Sequence, residues 1–292
     1  MKNTSHINSF KKYLKGILGM FIASVLFGFM AFLVRVASKD VPYSVIVFIR
    51  ASGGALVFII LYIFKLISFH PVNRKLLFLR SFLGAIALML WFYSISSISL
   101  SKAVFYLYSY PLYTALFSIL FYREKIYIEQ VVGMLSVIMG LISLSGFWAF
   151  DFNIKDTLGI LSGFFAGFAM SVLHRVRKTD EPWTIVIFFL VISSFVSIPF
   201  AITKFSFFNI QTWSLLIFIV VIATTGQVLM TYSYKYCSAV QGSIVSSTSV
   251  VFPAVLGSFL LGEVMTGSTF IGGFLIIAGG IVSSIKFRKE NS

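Results

Sequence analysis

Read for polarity alone, the 292-residue chain alternates between long apolar runs and short polar gaps. The runs cover approximately 16–38, 43–67, 77–99, 102–122, 127–149, 158–179, 183–203, 212–234, 240–261 and 267–285. Each approaches the roughly 20 residues that a helix needs to cross the hydrocarbon core of a bilayer. None of the gaps has room for a soluble domain. The pattern predicts an all-α integral membrane protein of ten transmembrane helices, with the lipid bilayer as its solvent. Lys2, Lys11, Lys12 and Lys15 precede the first run. That run lacks a small-x-small cleavage site and is long enough to span, so it reads as a first transmembrane helix and not as a removed signal peptide.

Sliding the chain on itself by about 140 residues exposes a duplication. Leu33, Arg35, Val36, Asp40 and Pro42 align with Leu173, Arg175, Val176, Asp180 and Pro182. Further on, Leu90, Tyr93, Ser94 and Ser99 meet Leu229, Tyr232, Ser233 and Ser238. Glu124, Gly133, Gly140 and Ile142 meet Glu263, Gly272, Gly279 and Ile281. The two copies occupy 16–149 and 158–285, with five spans each. Five is odd, so the second copy enters the membrane from the opposite side, which puts Glu124 and Glu263 on opposite faces. Two inverted five-helix repeats are the plan of many secondary transporters, with the binding site near mid-membrane between the halves. Copies of opposite orientation can exchange conformations, making outward- and inward-open states near mirror images.

Composition agrees: 59% of residues are hydrophobic and 11% charged, and the mean hydropathy is +0.98. The 34 phenylalanines suit helix surfaces that face acyl chains. A net charge of +14 raises the question of a nucleic-acid partner. The basic residues, however, sit in short gaps between apolar runs, as the positive-inside rule requires, so no nucleic acid is expected. With the N-terminus inside, the outside gaps hold only Arg35, Lys39, Lys102, Lys155 and Lys204, and Arg50 lies within a span. The other seventeen of the 23 Lys and Arg residues fall inside. The expected placement is a multi-pass protein of the cell (inner or plasma) membrane with both termini cytoplasmic. Cys237 is the only cysteine, which excludes an intramolecular disulfide and a cysteine metal cluster; it reads as a small apolar residue near a helix end.

Polar side chains in hydrocarbon are costly and usually face a cavity or one another. Arg50, about two turns into the second span, reads either as a structural arginine paired with backbone carbonyls or as a substrate contact. Arg80 opens the third span, where a topology anchor is expected, and His174 with Arg175 closes the sixth in the same role. The third and fourth spans carry Trp91, Tyr93, Tyr106, Tyr108, Ser109, Tyr110 and Tyr113. Tyr106, Tyr110 and Tyr113 follow i, i+4, i+7, which on an unbroken helix is one face. Pro111 interrupts that helix and Pro253 the ninth span, and a proline frees a backbone carbonyl that protein or cavity water must satisfy. Thr224, Thr225 and Gln227 on the eighth span, and Ser243, Ser246, Ser247, Thr248 and Ser249 on the ninth, complete the polar set. The candidate substrate-binding residues are Arg50, Trp91, Tyr93, Tyr106, Tyr110, Tyr113, Gln227, Ser246 and Ser249. The alternative for the hydroxyls is hydrogen-bonding glue between helices.

Gly133, Gly140, Gly272, Gly273, Gly279 and Gly280 mark spans five and ten as close-packing helices, within one chain or across a homodimer. No catalytic motif is present, and no cofactor or metal is expected. All nine acids lie in gaps or at span ends. Carriers driven by protons or sodium often hold a carboxylate at mid-membrane, so the pattern points to facilitated diffusion, exchange, or coupling through a group the sequence does not reveal.

The stretch from Thr231, TYSYKYCSAVQGSIVSSTSVVFPAVLGSFLLGE, resembles the second-repeat signature of EamA-type transporters in the drug/metabolite transporter superfamily. The stretch from Phe92, FYSISSISLSKAVFYLYSYPLYTALFSILFYRE, resembles its first-repeat counterpart, and Arg50 in FIRASGGAL and Arg80 in LRSFLG match arginines typical of these proteins. The resemblance covers residues 16–285. It implies a ten-helix carrier, monomeric or homodimeric, whose central cavity is walled by helices 1, 3, 4, 6, 8 and 9 and opened by rocking of the halves. Tyr122-Arg123-Glu124 departs from the family's Leu-Gly-Glu, which stands at Leu261-Gly262-Glu263, and puts the geometry of the turn after the fourth span in question. Superfamily substrates include amino acids, nucleobases and nucleosides, S-adenosylmethionine, vitamins and drugs. An arginine beside aromatic rings would suit an anionic or zwitterionic aromatic solute. A membrane-embedded enzyme or flippase acting on a lipid-linked substrate is the competing reading. It calls for acidic or histidine clusters at the interface that the chain does not carry.

Overall fold

A computed structural model describes residues 2–98, 100–145, 151–261 and 266–285. They form twelve helices: α1 (Lys2–Ala37), α2 (Tyr43–Ile63), α3 (Arg74–Ser97), α4 (Leu100–Tyr108), α5 (Tyr110–Tyr122), α6 (Ile128–Ser145), α7 (Ile154–Val176), α8 (Pro182–Ala201), α9 (Ile210–Ser233), α10 (Ala239–Ser246), α11 (Val251–Leu261) and α12 (Gly267–Ser284). These helices make ten spans long and apolar enough to cross a membrane, because α4 with α5 and α10 with α11 are the halves of broken spans. The broken spans are the fourth and the ninth, equivalent in the two repeats.

Local chemistry sets the ends. Lys65 adopts a left-handed φ of 59°, which stops α2 before the predicted boundary at 67. The Asn73 side chain accepts from Leu76 N at 3.2 Å and starts α3 at Arg74, earlier than the hydropathy boundary at 77. Asn153 and Asp156 form a capping box at the start of α7, with Asp156 also paired to Lys102 at 3.2 Å. Arg123 follows α5 in the left-handed region, φ 51°, where glycine is the usual residue. The turn therefore takes a left-handed cap on an arginine in place of a glycine, at a backbone cost. Its counterpart, Gly262-Glu263, lies outside the described residues.

Helix packing obeys the duplication. α1 lies along α9 and α3 along α7, two pairs that exchange when the halves are interchanged. The α2–α8 and α6–α12 pairs map onto themselves, as elements on a two-fold axis must. The result is two related bundles, one of α3, α4, α5 and α7 and the other of α9, α10, α11 and α1, flanked by the two self-paired seams. The α6–α12 seam settles where the glycines act. A Cβ on Gly133 would lie 2.6 Å from Gly279 O, and one on Gly140 2.7 Å from Gly272 O. Ser136 Oγ donates to Leu275 O at 2.7 Å across the same seam. Close backbone approach of this kind drives association in lipid, where no hydrophobic gain separates helix from solvent. These glycines thus pack within the chain. Outward positions such as Phe195, Phe270 and Phe274 are exposed, as bilayer-facing surfaces are.

Between the repeats, buried Asp180 ties the α7–α8 turn to the loop before α3. Its carboxylate accepts from Val72 N at 2.8 Å, Asn73 N at 3.2 Å and Thr179 Oγ1 at 2.6 Å. Asp180→Ala leaves two backbone donors unpaired and is expected to cost about 3 kcal/mol. Thermal unfolding of the detergent-purified protein measures this, with exposed Asp40→Ala, the repeat equivalent, expected to leave the melting temperature unchanged.

Candidate functional site

The two proline breaks shape the centre of the bundle. Pro111 has no N–H for Leu107 O, and α4 gives way to α5 at Ser109, whose Oγ donates to Tyr106 O at 2.7 Å. Pro253 likewise frees Ser249 O, and residues Ser247–Val250 form a 3-10 turn between α10 and α11. Each break presses against a glycine on the first helix of the opposite half. A Cβ on Gly28 of α1 would meet Ser249 O at 2.6 Å, and one on Gly167 of α7 would meet Tyr110 O at 2.8 Å.

Between the bundles lies a cavity with about 120 Å³ open to a water-sized sphere. Arg50, Trp91, Tyr110, Gln227, Ser246 and Ser249 of the candidate set line it. Tyr110 Oη donates to Ser243 O at 3.1 Å, and its ring lies 6.2 Å from that of Tyr108, which stands edge-on to Trp91 at 6.4 Å. Ser249 Oγ donates to Ser246 O at 2.8 Å. Tyr93, Tyr106 and Tyr113 stand apart from the cavity. Tyr93 packs edge-on against Tyr43 at 5.6 Å, Tyr106 lies against Gly159 of α7, and Tyr113 lies against Phe164 at 5.7 Å. The single face expected for Tyr106, Tyr110 and Tyr113 does not form, because the break at Ser109 resets the helical phase between α4 and α5.

Arg80 is the main correction. It does not anchor α3 at a membrane surface: with α3 starting at Arg74, it sits two turns inside, 1% exposed and on the cavity wall. Its guanidinium lies over the Phe189 ring, 4.6 Å from the centroid. Gly84, one turn on, leaves the space that the guanidinium fills, where a Cβ would collide with Nη1. The Leu-Arg-Ser-Phe-Leu-Gly spacing carried this signal, an arginine followed one turn later by a residue with no side chain. Tyr108, named with the polar aromatics but not in the candidate set, also lines the cavity, and Met170 and Phe189 line it and were missed; apolar residues on a buried helix bear no mark of which void they face. No carboxylate belongs to the wall residues.

The cavity is closed at the face that carries the start of α1 and the end of α12. There Met20, Leu77, Leu173, Val176 and Tyr234 form a cluster with almost no exposure. His174 Nδ1 lies 3.2 Å from Tyr234 O, its Nε2 lies 3.5 Å from Glu124, and Ser243 Oγ donates to Thr114 Oγ1 at 3.1 Å. His174 is thus a tie between the bundles, and Arg175 rests over the Tyr122 ring at 5.9 Å. At this face α10 packs on α5 and α7, whereas among the described residues the two-fold-related packing of α4 on α11 and α1 at the other face is largely missing. Ile95, Ile98 and Val36, the equivalents of Tyr234, Cys237 and Val176, are correspondingly only half-buried.

Ten membrane helices in two inverted repeats around a central cavity with polar and aromatic walls define a membrane transporter of small molecules, not an enzyme. The chain belongs to the EamA-like transporter family, which matches it twice, over residues 14–146 and 153–285. It is 30% identical over 271 residues to the pseudopaline exporter CntI of Pseudomonas aeruginosa (strain UCBPP-PA14), covering 92% of this chain and 95% of that one. The riboflavin transporter of Vibrio cholerae is 24% identical over 201 residues, covering 68% of this chain and 67% of its own. A solved crystal structure shares the fold with a TM-score of 0.72 at 18% identity, covering 92% of this chain and 96% of that one.

Proposed function

We propose that the protein is a secondary carrier that moves a small organic metabolite across the cell (inner or plasma) membrane by alternating access, with both termini cytoplasmic. The observation that carries this reading is the unequal closure of a two-fold bundle. One face is sealed by the packing of α10 on α5 and α7, while among the described residues the equivalent contact at the other face is largely missing. Interchanging the roles of the two halves would seal the second face and open the first at little cost, because the same kinds of contact are exchanged. The excess of basic residues at the sealed face supports its being the cytoplasmic one. With no carboxylate on the cavity wall, the carrier works by exchange or facilitated diffusion. The solute falls in the range of small organic molecules for which relatives are named, pseudopaline and riboflavin among them. The lipid-linked alternative has no support from a cluster of acids or histidines facing the cavity.

The native thiol reports on the cycle without knowledge of the substrate. Cys237 lies in the sealed face, 4% exposed, and burial pushes its thiol up to about 12. Only the thiolate reacts, so the closed state is inert. A membrane-impermeant maleimide is expected to label Cys237 slowly from the cytoplasmic side of inside-out vesicles, at a rate limited by opening, and not at all in intact cells. Labelling from the outer side, or no labelling from either side before the protein unfolds, would refute the reading.

A further inference from the structure

Four side chains that line the cavity carry buried nitrogen atoms that no other described group satisfies. Among the described residues, Arg50 Nε and Nη1, Arg80 Nε and Nη1, Trp91 Nε1 and Gln227 Nε2 have no hydrogen-bond partner. All four side chains are more than nine-tenths buried, at 3%, 1%, 5% and 4% exposure. Each of these atoms is a donor. They come from α2, α3 and α9, so both halves contribute. Buried polar atoms without partners are rare, and a group of them around one cavity needs an explanation beyond packing.

The two guanidiniums stay charged under all conditions a cell meets. Every carboxylate among the described residues lies away from the wall, so each arginine bears the desolvation cost of a buried ion with no protein counter-charge. Phe189 covers one face of Arg80 but supplies no acceptor for its edge. Such a field matches one ligand chemistry: an anion, rich in acceptors, whose carboxylates take the guanidinium edges in paired hydrogen bonds. The same wall carries Trp91, Tyr108 and Tyr110, which offer ring faces and edges to a planar or apolar body.

We infer that the cargo is an acidic organic solute bearing at least two carboxylates, held by Arg50 and Arg80, with Gln227 and Trp91 as auxiliary donors and the aromatic wall against its body. This deepens the carrier reading and rests on it. The paired arginines also supply selectivity, since a neutral or cationic analogue of the same shape leaves two buried charges unmatched.

The test compares matched acids and amides. Succinate, citrate and phthalate, each at millimolar concentration, are expected to raise the melting temperature of the detergent-purified protein. Succinamide, phthalamide and phenethylamine are expected to leave it unchanged. Arg50→Gln and Arg80→Gln should each weaken the carboxylate effect by about ten- to a hundredfold in concentration, the loss expected for charge-assisted bonds. Without ligand, both variants should melt at or above the wild-type temperature, because each removes a buried charge that has no protein partner. If the amides or the amine stabilise the protein as well as the acids, or no acid stabilises it, the inference is overturned. So it is if both variants melt well below wild type while the carboxylate shift persists. The wild-type comparison needs no variant, so it decides the matter even if the variants fail to fold. Cys237 labelling keeps the two readings apart. Carboxylate binding without opening at Cys237 overturns the carrier alone, and opening with stabilisation only by neutral or cationic compounds overturns the acidic cargo alone.

Discussion

Gly140→Leu is expected to lower the stability of the purified protein by at least about 3 kcal/mol. A Cβ alone at this position would lie 2.7 Å from Gly272 O and 2.7 Å from Ile276 Cγ1. The carbonyl is backbone and cannot rotate away, so a four-carbon side chain must separate α6 from α12. Ser136 Oγ would then lose Leu275 O, and the same shift would reach Gly133 against Gly279. Lipid offers no compensation, because the seam is held by contact and hydrogen bonds and not by exclusion of water. Thermal unfolding followed by tryptophan fluorescence measures the effect. Met139→Leu, one residue away and facing outward, should leave the melting temperature within a degree or so of wild type. An unchanged melting temperature for Gly140→Leu would mean that the two helices do not meet there.

The second large effect concerns the cycle. Thr114 on α5 and Ser243 on α10 belong to opposite bundles, and their hydroxyl oxygens lie 3.1 Å apart at the sealed face. Thr114→Cys with Ser243→Cys places two sulfurs near bonding distance, and a disulfide there would join the bundles where alternating access requires them to part. On oxidation, maleimide labelling of Cys237 from the cytoplasmic side should fall by about tenfold or more, as expected when a minor open state is removed from the equilibrium. Peptide mass mapping separates Cys237 from the introduced thiols. Reduction should restore the labelling. Unchanged labelling in a fully oxidised sample would show that Cys237 becomes accessible by some motion other than the parting of α5 and α10.

Much of the architecture was legible because the bilayer imposes a simple rule. Each crossing needs an apolar run of nearly fixed length, and the ten runs stand out whatever their partners. The inverted duplication was legible for a similar reason, since Asp40-x-Pro42 and Asp180-x-Pro182 occupy equivalent helix starts and five spans fix the inversion. The breaks in the fourth and ninth spans were legible from Pro111 and Pro253, because a missing N–H acts locally.

The cavity was legible only in part. Arg50, Trp91, Tyr110, Gln227, Ser246 and Ser249 reach it, but Tyr106 and Tyr113 turn to α7. Their spacing was read on a continuous helix, and the phase is lost at Ser109. Arg80 was read as a surface anchor because hydropathy places helix ends only to within a turn. The cap at Asn73 and the gap above Gly84 carry it inward to the wall. The partners of the seam glycines were equally hidden, because a Gly-x6-Gly spacing fits a homodimer as well as an internal crossing, and only α12 lying against α6 decides.

What the sequence determined by itself was therefore the solvent, the number of spans, the repeat and the places where helices break, all consequences of backbone chemistry and local polarity. Tertiary structure alone decided which donors meet around one cavity, that two arginines share it without a counter-charge, and which face of the bundle is closed. Those facts depend on helix rotation and on contacts between residues far apart in the chain, such as Thr114 with Ser243 and His174 with Tyr234, and no local pattern encodes them.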